Sequence, residues 1–115
     1  MAKIFRYKNL SATIADNENV IFSIEILSDG HVGETLINIP GPNDPVITDS
    51  GSVNLGKAAA LKGKVILSYS DVKVLAPESQ EIRVKIKLNG VLLQEHSNPI
   101  AVADRAVISL EFKIQ

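Results

Sequence analysis

Glu81-Ile-Arg-Val-Lys-Ile-Lys-Leu-Asn-Gly-Val-Leu-Leu-Gln-Glu-His96 carries the strongest structural signal in the chain. Ile82, Val84, Ile86 and Leu88 alternate with Arg83, Lys85 and Lys87. A period of two places apolar side chains on one face of a strand and cations on the other. Asn89-Gly90 follows directly. Both central residues of a type I′ turn need positive φ, which Asn and Gly tolerate, so a two-residue hairpin is predicted there. That turn sets Leu88 against Val91, Ile86 against Leu93 and Lys85 against Gln94. It places His96 on the solvent face with Leu92 and Gln94.

The same alternation recurs on both sides of the hairpin. Toward the C-terminus Ala106, Ile108, Leu110, Phe112 and Ile114 read inward, against Val107, Ser109, Glu111 and Lys113 outward. Upstream, Val20, Phe22, Ile24 and Ile26 share one face, and Ile21 and Leu27 add apolar character to the other, which predicts a central, deeply buried strand. Further strands are expected at residues 3–8, 10–15, 33–39 and 64–75, with a short one near 100–103. Within 64–75, Val65, Leu67 and Tyr69 hold the odd parity and Val72 and Val74 the even one. A bulge, a break or a change of sheet is therefore expected around Asp71. One short helix is expected near 57–62, between Gly56 and Gly63. The longest irregular stretch, from Pro40 to Gly51, contains three prolines.

Seven to nine short strands in 115 residues predict an all-β protein, an antiparallel β-sandwich forming a single domain over residues 1–115. Immunoglobulin-like topology is the first expectation, with a jelly roll or C2-like sandwich as alternatives. Composition agrees, since fourteen Ile and eleven Val stand against five aromatic residues and no Trp. The absence of Cys excludes disulfides, iron–sulfur clusters and thiol nucleophiles. Twelve basic and thirteen acidic side chains give a net charge of -1, with no global field toward nucleic acid or anionic membrane. No apolar run approaches the length of a membrane span, so no membrane insertion is expected. The chain begins with Met and lacks a secretory h-region, and a cytoplasmic location is the expectation.

Catalytic signals are weak. Gly51-Ser-Val-Asn-Leu-Gly56-Lys57 has P-loop spacing, but Ala58 stands where a magnesium-binding hydroxyl is needed and no long helix follows. Two histidines, His31 and His96, are too few for a three-histidine zinc site, and no Gly-x-Ser-x-Gly elbow positions a serine. No enzyme, cofactor or metal site is expected. A stacking lectin or single-stranded nucleic-acid binder needs exposed aromatics that this chain lacks.

Two groups of residues remain as binding candidates. Asp29, His31, Asn43, Asp44 and Asp49 lie in turns that could form one end of the sandwich. Asp16, Glu18, Asp71 and Asp104 are further oxygen donors, so a small ligand or calcium is the secondary reading, although turns select Asp and Asn for backbone reasons as well. Arg83, Lys85 and Lys87 form a basic stripe suited to an acidic protein surface. The expected function is a non-enzymatic interaction or structural module that assembles with a protein partner or with itself.

Overall fold

The computed structural model describes residues 2–28, 31–39, 44–75 and 80–115. The chain forms β1 (Ala2–Ala12), β2 (Asn19–Ile26), β3 (His31–Asn38), β4 (Val46–Thr48), β5 (Gly51–Lys57), α1 (Ala58–Leu61), β6 (Val65–Val74), β7 (Glu81–Leu88), β8 (Val91–Pro99) and β9 (Arg105–Ile114). A five-stranded sheet of order β1-β9-β6-β3-β4 packs on a four-stranded sheet of order β5-β2-β7-β8. This is the all-β sandwich that the alternation predicts. Among the described residues every strand-to-strand pairing is antiparallel except that of β1 with β9, which is parallel.

The inward faces supply the core. Phe22 of β2 and Phe112 of β9 stack across the gap between the sheets, their ring centroids 6.2 Å apart, among Ile24, Ile37, Ile66, Ile86, Ile108 and Leu110. Ile and Val dominate because branching at Cβ suits a pleated, half-buried surface. β2 is central, between β5 and β7, but its outer face is not covered, and Leu27 just beyond it is exposed. On one side of the sandwich the chain passes from β4 to β5 through Asp49 and Ser50. On the other side β1 and β8 lie next to each other.

The hairpin at Asn89-Gly90 forms as expected, with φ of 50° and 79°, and the Asn89 side chain fastens the turn to β2. Its Oδ1 accepts from Ile21 N at 2.7 Å and its Nδ2 donates to Asn19 O at 3.0 Å. The register beyond the turn differs from the expected one. A bulge in β8 sets Ile86 against Gln94, Lys85 against Glu95 and Val84 against His96. One extra residue reverses parity, so Glu95 faces the cations of β7 while His96 and Asn98 turn into the core. His96 is 2% exposed, not a surface residue. The apolar run Val91-Leu92-Leu93 has no alternation of its own to mark where the extra residue falls.

β6 also departs from expectation. No bulge or break occurs at Asp71: the strand keeps one register against both β3 and β9 from end to end. Ile66, Ser68, Ser70, Val72 and Val74 all face inward, and Val65 and Tyr69 are exposed on the outside, with Leu67 half-buried. The change of parity in the sequence thus marks an apolar outer face rather than a change of course. Residues 2–12 form one strand instead of two, with a bulge between Tyr7 and Leu10 at Asn9, whose φ is 61°. The segment 100–103 is a turn closed by bonds from Val102 N and Ala103 N to Pro99 O, not a strand. The strands β4 and β5 fall within and just after the stretch expected to be irregular, and α1 is shorter than predicted.

Burying two serines where apolar residues were available has a measurable consequence. Thr35 donates to Ser70 Oγ at 3.0 Å, whereas Ser68 Oγ is buried with no partner among the described residues. An unsatisfied buried hydroxyl costs about 1–3 kcal/mol. Ser68→Ala is therefore expected to match or exceed the parent in urea denaturation, by up to about 1 kcal/mol. Ser70→Ala, which strands the Thr35 hydroxyl, is expected to lose about 1 kcal/mol.

Candidate functional site

The two outer faces of the sandwich differ in kind. On the four-stranded sheet, the central cation of β7 is flanked by carboxylates on both neighbouring strands. Lys85 lies between Glu25 of β2 and Glu95 of β8, and Lys87 lies between Ser23 and Leu92. Glu95 is 3.5 Å from Arg83 and 4.0 Å from Lys85. This face is polar and largely neutralised, as expected of a solvated sheet surface.

The outer face of the five-stranded sheet carries exposed apolar side chains among charged ones. Strand register places Ile4, Val107, Asp71, Glu34 and Thr48 in one row across β1, β9, β6, β3 and β4. The next row reads Arg6, Ser109, Tyr69, Leu36 and Val46. Val32, Val65 and Leu67 share the face. Among the described residues, six of the eleven exposed large apolar side chains lie here: Ile4, Val32, Leu36, Val46, Val65 and Tyr69. An open groove of about 750 Å³ runs over this surface, between Val32, Leu36, Tyr69 and Leu75 and the charged side chains Glu34, Asp71, Lys73 and Arg105.

Charge within the groove is organised around one ion pair. Arg105 donates from Nε and Nη2 to the two carboxylate oxygens of Asp71 at 2.9 and 2.6 Å. That hydrogen bonding holds the Asp71 carboxyl below the usual carboxylate range and raises the Arg105 guanidinium further. A bidentate pair fixes the relative orientation of its two side chains.

The residues expected to bind are dispersed. Asp29 and Asn43 lie outside the described residues. His31 opens β3, with its Nδ1–H donating to Ser28 O at 2.7 Å. Asp49 sits at a φ of 55° and accepts from Gly33 N at 2.9 Å, while its own N–H bonds Gly33 O. Asp44 accepts from Ile39 N at 3.4 Å. Gly33 and Ile39 are at opposite ends of β3, so Asp49 and Asp44 are far apart, about 20 Å along an extended strand. Among the described residues no three His, Asp or Glu side chains converge as metal ligands, and no helix is long and apolar enough to cross a membrane. Arg83, Lys85 and Lys87 do share one face, the neutralised one. Lys73 of β6 and Lys113 of β9 belong to the other sheet. The P-loop-like stretch is the edge strand β5, antiparallel to β2, followed by a four-residue helix.

A buried polar chain joins β1 to β8. Asn98 Nδ2 donates to the carbonyls of Pro99 and Ala103, both at 2.9 Å, so its Oδ1 accepts from His96 Nε2–H at 2.8 Å. This leaves His96 Nδ1 to accept from the Tyr7 hydroxyl at 2.6 Å, and the Phe5 ring lies 4.4 Å from the imidazole. Burial pushes the His96 pKa down, against a smaller opposing effect of Asn98, and raises that of Tyr7. The network is fully bonded and closed off from the groove, which makes it a structural clasp. The groove is not apparent from the sequence because the parity change in β6 predicts a bulge, a break or a change of sheet; Val65, Leu67 and Tyr69 are the signal for it. Compared with models of known protein families, with curated proteins and with solved structures, the chain matches none.

Proposed function

We propose that the protein is a non-enzymatic interaction module and that the outer face of its five-stranded sheet is the contact surface. The observation that carries this reading is the polarity of β6, which buries Ser68 and Ser70 while Val65 and Tyr69 face outward. Full burial of one aliphatic side chain is worth about 1.5–3 kcal/mol, so a chain that folds only for its own sake would gain by the opposite choice. Large contiguous apolar patches are rare on monomers and mark contact sites. The neutralised face of the other sheet serves as the comparison within the same molecule. Val32, Leu36, Val46 and Tyr69 are the contact residues under this reading, with the Asp71–Arg105 pair fixing orientation at the side of the apolar centre. The topology is taken as immunoglobulin-like, supported by the repeated passage of the chain between the two sheets. The test is a photocross-linking residue placed in turn at Leu36 and at Lys85. A protein product through position 36 and little through 85 is expected, and the reverse would refute the assignment.

A further inference from the structure

The charges on this face indicate what covers it, an inference that rests on the interaction reading above. Glu34 lies directly across from Asp71 in the β3–β6 pairing, and like charges in opposed positions of a sheet are destabilising. Arg105 engages both oxygens of Asp71 and leaves Glu34 with no hydrogen-bond or ion-pair partner among the described residues. Lys73 is on the neighbouring strand one row away, opposite Val32, and exposed; its charge acts on Asp104 only through space. Among the described residues the groove therefore offers one unpaired anion and one loosely held cation, diagonally across two rows, next to an apolar centre. A partner of uniform charge would satisfy one and repel the other. A partner bearing the same two charges in reversed order satisfies both.

Two-fold symmetry supplies that reversal. In an isologous contact, if residue i of one copy meets residue j of the other, the converse contact is made automatically. A net charge of -1 per chain opposes association very little. Packing of one sheet face on another is also the arrangement the chain uses in its own core. We infer that a second copy of this chain covers the outer face of the five-stranded sheet, about a two-fold axis that sets Glu34 of each copy against Lys73 of the other.

Sedimentation equilibrium of the parent, Glu34→Lys, Lys73→Glu and the double exchange tests this. Thermal melts in dilute solution verify folding, and Glu34→Lys, which removes the like-charge pair with Asp71, should melt no lower than the parent. The parent is expected at twice the 12.4 kDa chain mass. Each single reversal, felt twice in a symmetric dimer, should weaken dimerisation at least about tenfold, and the double exchange should recover to within about threefold of the parent. A parent that stays monomeric near millimolar concentration, or a double exchange no better than the single variants, overturns the inference. If the parent is monomeric yet position 36 cross-links to a protein of another mass, the second copy is excluded and the interaction reading stands. No product from position 36 removes both.

Discussion

Leu36→Lys combined with Tyr69→Lys is expected to leave the unfolding free energy within about 1 kcal/mol of the parent and to weaken association through the outer face at least a hundredfold. The two side chains are direct cross-strand neighbours, each 40% exposed, at the apolar centre of the face. Their removal opens no core cavity, and the cost to folding is limited to a modest loss of strand preference and cross-strand contact. In a contact, by contrast, two buried ammonium groups would lack partners, and a hundredfold loss corresponds to about 2.7 kcal/mol. Urea denaturation and cross-linking yield on the same preparations separate the two effects. Destabilisation beyond about 3 kcal/mol would mean that these residues belong to the folding core. Undiminished association would mean that the contact lies elsewhere.

Acidification is expected to destabilise the fold through His96, and the sign follows from which state binds the proton. In the folded state the imidazole is neutral, enclosed by Phe5, Tyr7 and Asn98, with its pKa below the unfolded value of 6.5. The unfolded chain therefore binds the proton first. The stabilisation is complete above pH 6.5 and is lost as the pH falls from there through the folded value, with a slope of at most about 1.4 kcal/mol per pH unit. The Asp71 carboxyl, held low by Arg105, loses its contribution only at still lower pH, as the pH falls below the usual carboxylate range. His96→Leu should flatten the pH dependence between pH 7 and 5, whatever its cost at neutral pH. The NMR titration of the His96 ring reads the same effect directly, and a midpoint at or above 6.5 in the folded protein would contradict a buried neutral imidazole. Because Tyr7 is the β1 side of this clasp, the amide protection factors of β1 should fall with acid before those of β6.

Sequence pattern located most strands because one buried face per strand imposes a period of two. The alternation in residues 82–88 and 106–114 places the core side chains of β7 and β9 correctly. What it did not convey is where a ladder takes an extra residue. The β8 bulge falls in Val91-Leu92-Leu93, where every position is apolar, and a one-residue slip there exchanges His96 for Glu95 on the solvent face. β6 shows the opposite difficulty. Its pattern is visible, but apolar residues of a strand are expected to face inward, and the register with β3 and β9 puts Val65, Leu67 and Tyr69 outside. The candidate site was therefore written in the sequence as an apparent parity conflict. The turn acids Asp44 and Asp49 were legible as loop residues; their side chains are occupied with backbone N–H groups of β3 and its end.

The central claim is that one face of the sandwich is made for contact and the other for solvent, and photocross-linking in cells that produce the protein tests it most directly. With the reactive side chain at position 36, on the apolar face, the account predicts a discrete protein product. Yield at position 85, on the neutralised face, should be at least about tenfold lower. Equal yields from the two faces, or a product from position 85 alone, would contradict it.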